Sequence, residues 1–291
     1  MHETELIPQQ TAESTGGLET GECASCGNAQ SLNGAANFVY ALGQIQARFP
    51  SMAIEKEFAQ AAGRAETAGL TNHEVIQSVL AQKQNRYLVR QLCWVFTVEG
   101  LDTYLLRPRD PADLDLFVEA LRSSPRPTDV DVIIGVRGPI AAPQLCNGLM
   151  VPIVTVDHVY SFDIDSLLKS IPRPQAIAED RFSSTAEELF WRVMQMADNA
   201  GASDEHRALN YLAVRYSAIY AHTAEAFGRN FALSSVDVRP SRLSGVRKIV
   251  DVIFSFTNRQ NDVSEKSFVR VDVTDEFPFL MTKMSPYYDL N

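Results

Sequence analysis

With 291 residues, 45% of them hydrophobic, the chain can bury a sizeable core, as one large domain or two of ordinary size. A formal net charge of −10 argues against nucleic acid as the main partner, because binding phosphates requires a basic face. No stretch approaches the roughly 20 apolar residues that span a bilayer, and the acidic, polar N-terminus lacks the regions of a signal peptide, so a cytoplasmic protein with no membrane partner is expected.

Residues 1–34 are rich in Gly, Ser, Thr, Glu, Asn and Gln. That composition cannot bury enough surface to offset ordering entropy, which predicts a flexible leader. Folded sequence is expected from Asn37-Phe38-Val39-Tyr40 onward. Ser51 is placed to start a helix with Ile54, Phe58, Ala61, Ala62 and Ala65 on one face. Thr71 and Glu74 have the spacing of a capping box, in which each side chain satisfies a free backbone N–H; Val75, Ile76, Val79 and Leu80 then form the apolar stripe.

From Leu88 the period changes to two. Leu88, Leu92, Trp94, Phe96 and Val98 share one face of a predicted strand, and Glu99-Gly100-Leu101-Asp102 turns the chain into a partner at Thr103–Leu106. Asp110-Pro111 starts a helix, with Asp110 as N-cap and Pro111 at its first position. Two strands follow, over 130–136 and 149–160. The Pro-containing segment 171–176 reads as a connector between an N-terminal α+β half, 35–175, and a C-terminal half, 176–291.

Beyond the connector, Ala186, Leu189, Phe190, Val193 and Ala197 mark one helix. Leu209, Leu212, Ala213, Tyr216, Ile219, Tyr220 and Phe227 mark a second, longer one. Gly201 and Ser203-Asp204 between them suit a C-cap and an N-cap, giving an antiparallel helical hairpin and a candidate surface for a homodimer. Val250, Val252, Phe254 and Phe256 alternate, as do Val269, Val271 and Val273 after a turn at 258–262. This order of elements predicts the α+β class, with mixed or antiparallel strands and packed helices.

Four constellations carry chemistry. Cys23-Ala24-Ser25-Cys26-Gly27 is half of a zinc knuckle, and Cys23 and Cys26 are the candidate ligands for zinc; no second pair completes the set. The other two cysteines, Cys93 and Cys146, sit in apolar runs and read as small hydrophobes rather than as part of a disulfide framework. Arg239, Arg242, Arg247 and Lys248 put four cations into ten residues of an acidic chain, a candidate site for a peptide carboxylate, an acidic segment or a phosphate. Pairing with the chain's own surplus carboxylates is the alternative.

Asp204, Glu205 and His206 are the candidate acid–base trio. The dipole of a starting helix accounts for the two carboxylates equally well, leaving His206 and Arg207 facing solvent. Asp157-His158 and Asp163-Ile164-Asp165 lack the glycine and terminal glutamate of a calcium loop and read as structural. No phosphate-binding glycine loop occurs.

Several segments together resemble the C-terminal domain of unknown function of PatG-type cyanobactin maturation proteins, a domain also found at the end of PatA-type proteins. They include 38–45 (FVYALGQI), 90–95 (RQLCWV), 129–140 (DVDVIIGVRGPI), 146–152 (CNGLMVP), 197–211 (ADNAGASDEHRALNY), 239–245 (RPSRLSG) and 285–289 (SPYYD). In that family the domain follows a subtilisin-like protease that cleaves and macrocyclises a ribosomal precursor peptide. This sequence has no nucleophile turn, catalytic-Asp strand or His-Gly-Thr helix of such a protease, so that activity is not expected of it. The resemblance implies an accessory protein of ribosomal-peptide biosynthesis whose partner is a precursor peptide or a pathway enzyme. The alternative is a stand-alone peptide-modifying enzyme, with or without a metal.

Overall fold

Phe38–Arg48 forms the first strand, β1, of the computed structural model, which describes residues 37–64, 69–175 and 177–288. The leader with Cys23 and Cys26, and Ala65 of the first predicted helix, lie outside the described residues. The described residues fall within one compact unit. Helix α1 (Met52–Arg64) follows β1, and α2 (Asn72–Leu80) starts on the expected capping box, with Thr71 accepting from the Glu74 N–H and Glu74 from the Thr71 N–H.

The strand predicted from Leu88 begins later. Arg86–Gln91 is a helix, α3, because Leu88 and Leu92 are also four residues apart, and the Leu92 N–H closes onto the Leu88 carbonyl. Strand β2 (Cys93–Val98) then turns at Glu99-Gly100, both at positive φ, into β3 (Leu101–Pro108). Asp110 caps the turn that leads into α4 (Leu114–Ala120) by accepting from the Ala112 N–H at 2.8 Å. Two long strands, β4 (Asp129–Ile140) and β5 (Pro152–Asp163), complete the first half.

These five strands close into a barrel in the order β1-β2-β3-β5-β4. Every pair is antiparallel except β3 with β5. This is a Greek-key barrel of the OB type. Side chains alternate along each strand, so Val39, Ala41, Ile45, Trp94, Phe96, Tyr104, Leu106, Ile133, Val154 and Val156 fill one core with Phe58, Leu80, Leu88 and Phe117 from the helices. Tyr40, Leu42, Val130, Val132 and Ile134 point the other way, into a second core.

That second core is built by the C-terminal half. After α5 (Ile164–Ser170) come α6 (Glu179–Met196), α7 (Asp204–Arg215) and α8 (Ala218–Gly228). The single helix predicted from Leu209 to Phe227 is therefore two. It breaks at Tyr216, whose φ of −115° and ψ of 84° leave the helix, and the Tyr220 hydroxyl satisfies the Ala213 carbonyl exposed by the break. The expected hairpin partner also differs, since α6 packs more extensively against α8 than against α7.

Strand β6 (Phe231–Pro240), unread in the sequence, pairs with β7 (Ile249–Asn258), which pairs with β8 (Ser264–Asp272); the short β9 (Phe279–Leu280) and β10 (Ser285–Pro286) flank β8. Helices, second sheet and outer wall of the barrel share Leu189, Phe190, Leu209, Leu212, Phe254 and Val269 as one interior. No helix among the described residues is long and apolar enough to cross a membrane.

Cys93 and Cys146 are not free. Their Cα atoms lie 5.7 Å apart and their sulfurs are bonded, which corrects the reading of both as small hydrophobes. Sequence separation hid the pair, because only barrel closure brings the β4–β5 loop over the outside of β2. That loop, 141–151, lays Ala141, Leu145, Leu149 and Val151 across Val95 and Leu105. It passes through Cys146, Asn147 and Gly148, all at positive φ.

Candidate functional site

The barrel leaves two gaps beside β1, because that strand changes partner halfway. Phe38–Gly43 pair with β4, whereas Gln44–Arg48 pair with β2. Beside the first half, the segment 199–201 stands in for the missing strand. Tyr40 N–H donates to the Gly201 carbonyl at 3.2 Å, Leu42 N–H to the Asn199 carbonyl at 2.9 Å, and the Asn210 amide to the Tyr40 carbonyl at 2.8 Å. Gly201 is required there, since a Cβ would lie 1.9 Å from the Tyr40 carbonyl oxygen at a φ of +58°.

Beside the second half the gap stays open. Ile45 N–H is met by the Asp131 carboxylate at 2.7 Å, a side chain replacing a strand carbonyl. Two residues on, strand alternation aims the N–H and C=O of Ala47 the same way, past the end of β4. A cavity of about 210 Å³ lies against this edge, walled by Ile45, Ala47, Ile76, Ala120, Leu121 and Pro125. A cavity of roughly 150 Å³ holds a benzene ring, so the space fits one aromatic or branched aliphatic side chain.

The floor of the cavity is polar and neutralised. Asp131 also accepts from the Ser161 hydroxyl at 2.5 Å, and burial pushes its carboxyl above the ordinary range against the pull of those hydrogen bonds and of Arg122. Arg122 reaches Asp129 at 3.0 Å, and Asp129 also accepts from the Arg126 N–H at 2.7 Å. With its carboxylates already paired, the cavity presents mainly apolar wall and a free strand edge.

A second cluster forms where β5 meets the segment after β8. Arg109 grips Asp157 through two hydrogen bonds, one of them 2.8 Å long, and holds that carboxyl below its ordinary range. Glu276 approaches the same carboxylate, and burial together with Asp157 pushes it up to about 7. The two neighbouring carboxyls are thus pushed in opposite directions, Asp157 toward the charged form by Arg109 and Glu276 toward the neutral form by burial and by Asp157. His158 adds an edge-on contact to Phe277 at 4.7 Å. Asp157 was read as structural, and nothing local in sequence marked Glu276 as its neighbour.

The predicted trio does not converge. Asp204 is held by Arg207 at 3.2 Å and by Lys248 at 3.1 Å, while the Nδ1 of His206 accepts from the Asp198 N–H and ties the helix start to the preceding loop. The Glu205 side chain has no hydrogen-bond or ion partner among the described residues. Arg207, expected in solvent, is 2% exposed. It lies over the Phe38 ring and donates to the carbonyls of Val273, Asp275 and Glu276, so it fixes the segment that carries Glu276.

The four predicted cations are spread out. Arg239 stacks on Tyr287 at 5.1 Å and donates to its hydroxyl, Arg247 pairs with the buried Asp272 at 3.4 Å, and Lys248 pairs with Asp204. Arg242 is exposed with no ion partner among the described residues. Sequence reasoning also missed a Ser–His contact, His222 Nε2 to Ser267 Oγ at 2.9 Å. Ser267 is buried between α8 and the sheet and burial lowers the His222 pKa, so the two groups satisfy each other. Among the described residues, no three His, Cys, Asp or Glu side chains stand together as a metal site.

The family described as PatG Domain matches residues 38–228, and that described as PatG C-terminal matches residues 176–287. A solved structure, "PatG Domain of Unknown Function", aligns with 87% of this chain and 99% of its own, with a TM-score of 0.71 and 20% sequence identity, which shows a shared fold. Among the curated proteins nothing matches.

Proposed function

The chain belongs to the PatG Domain family, and from that premise we propose that it is a non-catalytic accessory protein of ribosomal-peptide maturation that binds an extended segment of a precursor peptide. The observation that supports this is the open edge of β1 at Ala47 beside a cavity of side-chain size with apolar walls and a polar floor. An extended peptide can satisfy such an edge through its backbone and place alternate side chains into the adjoining space. The cavity is too small for a nucleotide-sized cofactor, and its paired carboxylates favour a neutral apolar side chain over a charged one.

Titration of the purified chain with a fluorescently labelled cyanobactin-type precursor peptide, followed by anisotropy, tests the reading. Saturable micromolar binding that weakens when apolar residues of the peptide are replaced by aspartate is expected. No binding to the precursor overturns it.

The carboxyl pair Asp157–Glu276 favours one second reading, a peptide-modifying enzyme in which Glu276, near 7, exchanges a proton with substrate. Incubating the precursor with the chain and following its mass separates the two. A mass change lost in Glu276→Gln supports the enzyme; an unchanged mass dismisses it.

A further inference from the structure

The outer face of β2 and β3 carries another cavity, of about 340 Å³. It is bounded by the end of the β1–β2 connection, by β3 and by the β4–β5 loop. In OB-type barrels the loops at these two connections and the β2–β3 face between them are where ligands bind. Here the Cys93–Cys146 disulfide forms part of the cavity wall.

Charge distinguishes the site further. Arg90 and Arg107 both line it, no carboxylate does, and the chain as a whole carries −10. Most of the described arginines near a carboxylate are paired with it, as Arg48 is with Asp102 and Arg86 with Asp115. Arg90 and Arg107 are exposed and have no ion partner among the described residues. Two uncompensated cations therefore stand around a disulfide in a recessed, partly apolar space that includes Leu92 and Leu145.

We propose that this cavity is a thiol–disulfide exchange site for an anionic low-molecular-weight thiol of the glutathione class. The arginines attract the carboxylates of the thiol and raise its concentration at the sulfurs. Its thiolate attacks Sγ of Cys146, the more exposed of the two; the Sγ–Sγ bond breaks and Cys93 departs as a thiolate, which the same cations stabilise. A second thiolate attacks the small-molecule sulfur of the mixed disulfide and releases the Cys146 thiolate. Two small thiols are thereby oxidised to one disulfide, and the protein disulfide, taking up two electrons and two protons, is reduced to two thiols.

Exchange has a structural consequence. Once the bond opens, the loop 141–151 is held at its base by the Ala141 N–H on the Val151 carbonyl at 2.8 Å, and by the packing of Leu145 and Leu149 on Val95 and Leu105. Reduction converts a tethered cover over the β2–β3 face into one that can lift. The site is separate from the groove beside Ala47, so this proposal does not depend on peptide binding there.

The test follows opening of the disulfide in the full-length chain. Glutathione, 2-mercaptoethanol and cysteamine (anionic, neutral and cationic thiols) are compared at equal thiolate concentration, with adducts located by peptide mapping so that Cys23 and Cys26 do not contribute. Glutathione is expected to open Cys93–Cys146 about tenfold faster than cysteamine, at the low end of electrostatic steering by a charged cleft. The preference should shrink in 0.5 M salt and fall to that of the urea-unfolded chain in the Arg90→Ala/Arg107→Ala variant. A mixed disulfide at Cys146 supports the proposal. Equal rates for the three thiols, a preference indifferent to salt, or free thiols at both positions in the untreated chain would each overturn it.

Discussion

The side-chain amide of Asn210 donates to the carbonyl of Tyr40 at 2.8 Å, so a helix of the C-terminal half completes the hydrogen bonding of a barrel strand 170 residues away. Both residues are buried, at 0% and 1% exposure. The two halves are thereby locked at a point where neither could satisfy its own backbone.

Replacing Asn210 by Leu removes the donor and leaves the Tyr40 carbonyl buried and unpaired, at a cost of about 1–3 kcal/mol. Gly201→Ala is expected to cost more, because the added methyl collides with the same carbonyl and the positive φ disfavours it. Urea unfolding followed by circular dichroism should show one transition for both variants, at lower midpoints. An unchanged midpoint for Asn210→Leu would remove the amide from the account.

Arg207 and Lys248 share Asp204 as a partner yet should differ in weight. Arg207→Met leaves three carbonyls at a buried site without their donor and Asp204 with Lys248 alone, a loss of about 3 kcal/mol or more. Lys248→Ala breaks a half-exposed pair and should cost less than about 1 kcal/mol. Thermal melts of the two single variants measure the contrast; similar losses would mean that burial is not what gives Arg207 its weight.

Glu276 makes stability fall with rising pH. Its pKa is near 7 in the folded chain against an ordinary 4.5, so the folded state holds a proton that the unfolded state has released. The stabilisation is fully present below about 4.5 and is lost as pH passes through 7. Asp157 acts in the opposite sense, and its contribution is lost only on acidification below its ordinary 3.8. Between pH 5 and 8, Glu276→Gln should therefore gain on the wild type by about 1 kcal/mol once solvent screening is allowed for. Denaturant midpoints across that range provide the check, and a constant difference would rule out the raised Glu276 pKa.

Ile76→Arg puts a cation into the apolar wall beside the open edge of β1. Peptide affinity should drop about tenfold, equivalent to 1.4 kcal/mol, while stability changes little because Ile76 is only half-buried. Binding that survives this change would move the peptide site away from the mouth of the barrel.

Much of the architecture was legible in the chain because its signals are local. The Thr71–Glu74 capping box, the Glu99-Gly100 turn, the Asp110-Pro111 start and the alternation of Val250 to Phe256 each involve residues within one or two turns of one another. Misreadings arose where two periods overlap, as at Leu88 and Leu92, or where a distant group stabilises a break, as the Tyr220 hydroxyl does for Ala213. The cations at 239–248 were visible as a run, but a run does not show which members meet carboxylates. Glu276 carried no signal of its own, since its neighbour is 119 residues earlier in the chain.

The sequence by itself determined the α+β class, most element positions, the acidic balance and the family resemblance, because periodicity, capping and composition act over short stretches. Only the tertiary structure decided that β1 changes partner, leaving one gap filled by 199–201 and the other open, and that Asp157 and Glu276 are neighbours. It also joined Cys93 to Cys146, which the sequence had left as separate small hydrophobes. The disulfide depends on barrel closure, and the filled gap and the carboxyl contact on packing of the C-terminal half against the barrel; both bring together groups whose spacing along the chain carries no information about their distance in space.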